Sequence, residues 1–560
     1  MHETPVRVVG AGPAGMLAAL QLTKNGTPSI LVERNLETTK WPKMDITNCR
    51  SVEILRRLGV ADGLRQVGVD PHWSFDVLFC TGLGEGEVLT KWNLPSPNDW
   101  EKRIKDNHDG SMPRVPYQRC FHAVFEAWLK PKLQETSLDN SRLVRHTVIS
   151  KYVIACDGAG SRVRRSLGIT LRGGPVPSAM WLIHFKLRDL ERLRIQGQFW
   201  HIFFTAGQVL IAQDEKGTWT VHTPIATDAN GNNLDVGRLD PHQAVYEALG
   251  GEKSPFIFEI DEILVTNSYS SKGGRVFLAG DSAHQSIPTE GYGMNTAVGD
   301  SFDITWKIGA VLGGYAGNTL LASYEQEGLP VGARNIERSG VHYSVHATYV
   351  QWCRELQPGI ITSDAPEGQE LRKRLVDDVQ LRDGENQEQG IELGYRHNDS
   401  SVIARRDDDN EFIPSIWPGS RAPHAFLHEG ETSIFDLFGT GNEFTLVDFT
   451  PNARFIEVFD LDLRRRRVPC KMVHIPMERY ARGVWERDAV LVRPDDHVAW
   501  CSALSGTNEV DVEKVLDTVL GAVGSYGPRT PSLGDREKHF TLTIGDIFID
   551  SIEGRGKFQQ

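Results

Sequence analysis

Three stretches of this chain carry residue types and spacings that could do chemistry. The first is Arg275–Gly314. A short apolar strand, Val276–Ala279, stops at Gly280-Asp281; a loop with Pro288, Gly291 and Gly293 follows; helical spacing begins near Asn295. Glycines let backbone pass close to a ligand, and a helix start offers free N–H groups with partial positive charge. The Gly291–Asn295 loop therefore suits something planar with negative charge at its edge, and Asp281 suits hydroxyls. A reduced flavin on a ribityl chain has both properties. Alone, the stretch also reads as an ordinary strand–loop–helix turn.

The second stretch is Gly10-x-Gly12-x-x-Gly15. It sits between the strand Val6–Val9 and a helix, and a second strand ends at Glu33, 18 positions after Gly15. In that setting the glycines allow a tight turn, close approach of a pyrophosphate and helix–sheet packing, and the acidic residue meets a ribose hydroxyl. Arg34 stands beside it. The fingerprint does not separate FAD from NAD. The third stretch, Lys151–Arg164, is a strand into an Asp157-Gly158 turn, then a helix with arginines; Asp157 and Arg164 are placed to see a cofactor.

Two single residues stand out. Arg119 belongs to a helix starting at Pro116, where it suits a phosphate or is a surface arginine. Asp45 lies just before a helix beginning near Asn48 or Ser51. It is either part of the N-terminal cap region or a carboxylate facing the flavin.

The elements that must position these residues follow in order. Residues 70–113 are loop-rich, with Trp73, Phe75, Phe79, Trp92 and Trp100; each reads first as core, and together they could line an aromatic pocket. From Met180 to Val265 alternating patterns predict an antiparallel sheet. A long helical region runs from Gly314 to about Leu356. Residues 357–395 are polar and read as a linker, with an amphipathic helix at Glu367–Val379. A second α/β pattern begins at Arg421.

At 560 residues the chain has room for two or more domains. Its net charge of −13 disfavours an extended nucleic-acid surface. Seven scattered cysteines without CxxC signal neither a zinc ribbon nor a dithiol centre, and no metal site is expected. They fit a reducing compartment, the cytoplasm. The first residues run directly into a strand, so no secretory leader is expected, and no apolar run reaches membrane-spanning length.

In order and context the three motifs resemble those of the single-component FAD-dependent aromatic monooxygenases, in the branch of phenol hydroxylase and 2,4-dichlorophenol monooxygenase with its fungal members. The resemblance reaches to about residue 520. It implies a Rossmann-like FAD-binding domain (about 1–70, 114–175 and 270–356) interleaved with an antiparallel substrate sheet (about 71–113 and 176–269), a linker at 357–399, a C-terminal thioredoxin-like α/β domain lacking CxxC at 400–523, and a tail at 524–560. Under it Gly10, Gly12 and Gly15 hold the pyrophosphate of noncovalent FAD and Glu33 the adenosine ribose, with Arg34 adjacent. Arg119 and Asp157 lie along the FAD. Asp281 takes the ribityl or pyrophosphate side, Pro288 flanks the flavin face, and Gly291, Gly293, Met294 and Asn295 take the isoalloxazine edge. Asp45 assists deprotonation of the substrate.

The implied activity uses NAD(P)H and O2 to hydroxylate a phenolic or polyketide-derived aromatic through a flavin C4a-hydroperoxide. The implied assembly is a homodimer. Two departures from the pattern matter. His122 stands where relatives carry Gln, and the segment before Lys151 is too short for the usual β-hairpin. The second leaves an inactive FAD-binding protein as one alternative. Baeyer–Villiger or epoxidising chemistry on the same scaffold is the other.

Overall fold

Four parallel strands organise the N-terminal half. Val276–Leu278, Thr147–Ala155, His2–Val9 and Ser29–Val32 lie side by side in that order. The computed structural model describes the chain apart from residues 1, 36, 41–43, 85, 108, 135–146, 170–178, 226–239, 252–258, 265–274, 287–288, 358, 405–415, 504–509, 523–539 and 544–560. The first helix, Pro13–Lys24, is apolar on nearly every side because it is enclosed. Ala14, Ala18 and Leu22 pack on the sheet, while Met16, Leu17 and Leu20 pack against neighbouring helices.

The segment 135–146, where a shortened connection is expected, lies outside the described residues. Beyond it, the first half of Thr147–Ala155 is bordered on one side by the N-terminal strand and on the other by a strand from the tail. Phe540–Thr543 pairs antiparallel with Thr147–Ser150. The apolar tail patch at 544–552 also falls outside the described residues.

The second sheet has seven strands. Their order is Glu259–Leu264, Ala179–Lys186, Thr218–Ile225, Val209–Ala212, His201–Phe204, Val77–Cys80 and Val88–Trp92. One correction to the sequence expectation is needed: Val77–Cys80 runs parallel to His201–Phe204, so the sheet is mixed. Alternation gives it two faces. Ile202, Leu210, Val221 and Ile183 form a closed core on one face. The other face carries His201, Phe203 and Val209 toward the Asp45–Cys49 segment.

Residues 357–399 are not a free linker. The helix Pro366–Leu381 buries Leu371, Leu375 and Val379. Leu375 and Val379 join the core of Phe79 and Trp92, and Trp92 Nε1 donates to the Val379 carbonyl at 3.1 Å. The same core contains Phe75, so these aromatics are packing residues.

The C-terminal unit has a four-stranded sheet ordered Cys470–His474, Phe444–Asp448, Ala489–Val492, Val498–Cys501. The first pair is parallel and the others antiparallel, with helices Arg454–Arg465, Arg479–Trp485 and Val512–Val519 between or after them. This is a βαβαββα arrangement. Among the described residues, no helix is long and apolar enough to cross a membrane.

Candidate active site

The functional motifs converge at the C-terminal ends of the parallel strands, where open α/β sheets bind ligands. Gly10 has φ +97°, and a Cβ there would lie 2.3 Å from the Cys156 carbonyl oxygen. A Cβ on Gly15 would lie 1.8 Å from the Gly10 carbonyl oxygen. The fold itself requires both glycines. Gly12 differs: its backbone is extended (φ −71°, ψ −178°), and a Cβ would meet only Glu126 Oε1, at 3.9 Å. Nothing inside the chain demands glycine there, so the space in front of Gly12 is kept for a ligand. Gly12 also starts the Pro13–Lys24 helix without a side-chain cap, leaving its N–H groups for an anion.

At the end of the second strand, Glu33 accepts from the Ala11 N–H (2.6 Å) and the Asn35 N–H (2.8 Å), and it remains exposed beside exposed Arg34. His122 Nε2 lies 2.7 Å from Glu126 Oε1, and Glu126 Oε2 accepts from the Thr39 N–H at 2.8 Å. His122 thus joins a carboxylate that faces Gly12.

One expectation, for Arg119, needs correction, and Asp157 gains local partners. Asp157 stands at the end of its strand, but both carboxylate oxygens are used locally. Ser161 Oγ donates to one at 2.5 Å, and the N–H groups of Arg162 and Val163 donate to the other. It shapes the turn through these bonds; Arg164 likewise bonds the carbonyls of Ala159 and Ser282. Arg119 is not at a helix start. Gln118–Arg119 pairs with Ile46–Thr47 as a short strand, and the helix runs His122–Gln134. The guanidinium is fully buried against Glu215 and the Ala212 carbonyl, with Phe75 and Trp200 rings 5.4 and 5.7 Å away. It braces the substrate sheet.

Asp281 is exposed in the turn that ends Val276–Leu278. Behind it, Asp300 Oδ2 accepts from the Gly280 N–H (2.9 Å) and pairs with His284 Nε2 (2.6 Å). Burial pushes the His284 imidazole down, but Asp300 outweighs it and holds its pKa above the ordinary value.

The Gly291–Asn295 loop is equally specific. Gly291 has φ +66° and caps the Tyr292–Leu312 helix without a side chain. A Cβ on Gly293 would meet nothing within 4 Å. Asn295 ties this loop to the Asp45 segment: Nδ2 donates to the carbonyls of Ile46 (3.2 Å) and Gly291 (2.9 Å), and Oδ1 accepts from the Asn48 N–H (3.0 Å). Met294 is half-buried, and Pro288 lies outside the described residues.

The two readings of Asp45 separate cleanly. The Cys49–Arg57 helix is capped by Asn48, whose Oδ1 accepts from the Ser51 N–H at 2.9 Å. Asp45 is not the cap. Its Oδ2 accepts from Trp200 Nε1 at 2.7 Å and lies 3.2 Å from His201 Nε2. Burial pushes this carboxyl up, but His201, Arg119 and Trp200 together outweigh burial and hold it below the usual carboxylate range. Asp45 is therefore ionised at neutral pH.

A charged seam lies behind the site. Helix Cys49–Arg57 presents Arg50, Glu53 and Arg57 to Asp496 and Arg421 of the C-terminal domain. Deeper, Arg493 and Lys307 meet Asp303, Glu327 and Asp495. His397 and His497 flank Asp495, close enough to resemble a metal cluster. Five acidic groups here face five basic ones. Burial and the Glu327 and Asp495 charges also push the Asp303 carboxyl up. A cavity of about 70 Å³ separates this seam from Asn48 and Asn295.

The FAD-binding domain family matches residues 3–339, and the aromatic-ring hydroxylase C-terminal family matches residues 415–523. The chain belongs to the FAD-dependent aromatic-ring monooxygenases. It is 40% identical to the FAD-dependent monooxygenase apdD of Emericella nidulans, over 89% of this chain and 88% of that protein. It is 25% identical to the 2,4-dichlorophenol 6-monooxygenase of Delftia acidovorans, over 89% and 94% respectively. The crystal structure of the flavin-dependent monooxygenase PieE with FAD and substrate superposes with a TM-score of 0.78 at 26% identity, covering 93% of this chain and 99% of that one. The protein is an FAD-dependent monooxygenase that hydroxylates an aromatic substrate with NAD(P)H and O2.

Proposed function

We propose that the substrate is a phenol, free or within a polyketide-derived aromatic, bound between the flavin edge and the His201–Phe203 face of the seven-stranded sheet. The observation that carries this reading is Asp45, an ionised carboxylate whose segment is tied to the flavin-edge loop through Asn295. A phenolate is a better nucleophile than a phenol, so a negative site beside the substrate hydroxyl favours oxygen transfer. Gly10, Gly12, Gly15, Glu33 and Arg34 hold the ADP part of FAD, Asp281 its polyol, and Gly291, Gly293, Met294 and Asn295 the ring edge. When bound, FAD supplies the redox chemistry. The chain's own residues bind, orient and exclude water.

The chain acts as a homodimer through its C-terminal domain. Leu461 (75% exposed) and Val458 (47%) form an uncovered apolar strip on the Arg454–Arg465 helix, with Met477 (77%) also uncovered on that domain. All seven cysteines are unpaired, which suits the cytoplasm. The test is NADPH-dependent turnover across a panel of phenols and matched ketones, read by product mass and regiochemistry. Ring hydroxylation of phenols supports the proposal. Lactone or epoxide products without phenol turnover would overturn it.

A further inference from the structure

His201 connects Asp45 to the substrate sheet. Direct cross-strand partners share a face. Val77, His201, Ile211, Thr220 and His184 form one such row, and Phe79, Phe203, Val209, His222 and Leu182 form the next. His201 is thus on the face turned toward the Asp45–Cys49 segment. Its side chain keeps 12% exposure and that of Asp45 keeps 14%.

The ring nitrogens of His201 have different surroundings. Nε2 faces the Asp45 carboxylate at 3.2 Å, whereas Nδ1 is buried without a hydrogen-bond partner. An ionised carboxylate can only accept, so Nε2 carries the hydrogen. In the neutral imidazole Nδ1 then holds the lone pair. This is the logic by which a carboxylate fixes a histidine tautomer and frees the other nitrogen as a base. A buried, unpartnered acceptor is costly to keep, and a substrate hydroxyl would satisfy it.

From this geometry we infer that His201 Nδ1 is the atom that takes the proton from the substrate hydroxyl, with Asp45 acting through it as the positioning residue. The inference rests on the phenol reading above. In the step, the substrate O–H bond breaks, its electron pair stays on oxygen, and the proton forms a bond to Nδ1. The resulting imidazolium sits against the Asp45 carboxylate, so charge is balanced. After the ring hydroxylates and loses its own hydrogen, Nδ1 returns its proton to the product oxygen.

The surrounding groups leave this role open to His201. Burial pushes the imidazoles of His222 and His184 down to about 4, so both stay neutral. Arg119 is matched by Glu215. Glu385, the second carboxylate near His201, is engaged by His346 at 2.6 Å.

The test is His201→Gln in FAD-loaded enzyme, with Asp45→Asn and the double variant alongside. Product formation from a weakly acidic phenol should fall about 10²–10⁴-fold, while NADPH oxidation continues as hydrogen peroxide. The pH profile of hydroxylation should change shape. The double variant should lose no more than the worse single one, because the two residues act as a unit. A second readout does not need turnover: wild type should hold 4-nitrophenol as the yellow phenolate at a pH where the variant holds it neutral.

Normal coupling with an unchanged pH profile in His201→Gln would overturn the inference while leaving the phenol reading intact. A wild type that hydroxylates no phenol would remove that reading, and the inference with it. His201→Asn serves if the Gln variant loses FAD. If both lose it, the imidazole is a fold element and the inference falls.

Discussion

Glu53 and Arg421 meet in a two-pronged ion pair buried between the Cys49–Arg57 helix and the C-terminal domain. Arg50 of the same helix reaches Asp496 at 3.1 Å and the Asp495 carbonyl at 2.6 Å. The helix follows directly on Asp45 and Asn48, so the C-terminal domain helps frame the catalytic segment. A role confined to dimerisation is too small for it. Removing that domain would expose this helix face and break its pairs with Asp496 and Arg421, which rules out deletion as a clean test of oligomeric state.

Arg421→Ala should therefore destabilise the enzyme by about 3–5 kcal/mol, the range for breaking a buried pair, as read by denaturant midpoint. Burial pushes the Glu53 carboxyl up, but Arg421 and Arg50 outweigh it and hold it below the usual range. A depressed carboxyl contributes stability above its unfolded value, about 4.3, and loses it as pH falls through the folded value. Wild-type stability should accordingly drop more steeply below pH ~4 than that of Glu53→Gln.

Gly12→Val should fold normally and lose the yellow colour. A Cβ there meets only Glu126 Oε1, at 3.9 Å, so the side chain has room in the protein and would obstruct the cofactor. Absorbance near the flavin maximum, together with thermal melting, checks both halves. A folded variant with stoichiometric FAD would displace the pyrophosphate from this turn.

Asp45→Asn should keep FAD and stability, because an amide oxygen still accepts from Trp200 and the helix is capped by Asn48. Coupled hydroxylation should fall about 10²–10⁴-fold, or about 3–5 kcal/mol in barrier. Raising the pH should partly rescue acidic phenols that arrive ionised. Product yield per NADPH is the measurement.

Leu461→Glu places a charge on the exposed strip of the Arg454–Arg465 helix and leaves the buried seam untouched. It should shift the mass in solution toward a monomer, with FAD retained. A variant that stays dimeric would move the interface elsewhere.

What was legible in the chain was local. Gly10 and Gly15 betray their turn because glycine answers a nearby backbone contact, and strand, helix and Gly291 stand within a few residues of one another. What was hidden depends on distant partners. Arg119 looks like a phosphate ligand until Glu215, 96 residues later, claims it. Asp45 reads as a cap until Trp200 and His201 arrive from another sheet. The helix Pro366–Leu381 shows an apolar stripe, but only the Trp92 strand explains it. Asp157 carried the opposite ambiguity, since its own next turn absorbs both oxygens. The parallel pairing of Val77–Cys80 with His201–Phe204 leaves no trace in alternation, which is the same for either strand direction.

The proposed function requires this site to insert one atom of dioxygen into a phenolic ring. Turnover of a phenol under ¹⁸O2 with NADPH tests it most directly. The account predicts a diol product carrying a single ¹⁸O on a ring carbon, formed in step with NADPH consumed. NADPH oxidation that yields only hydrogen peroxide across the phenol panel, or label lodged in a ring-expanded ester, would contradict it.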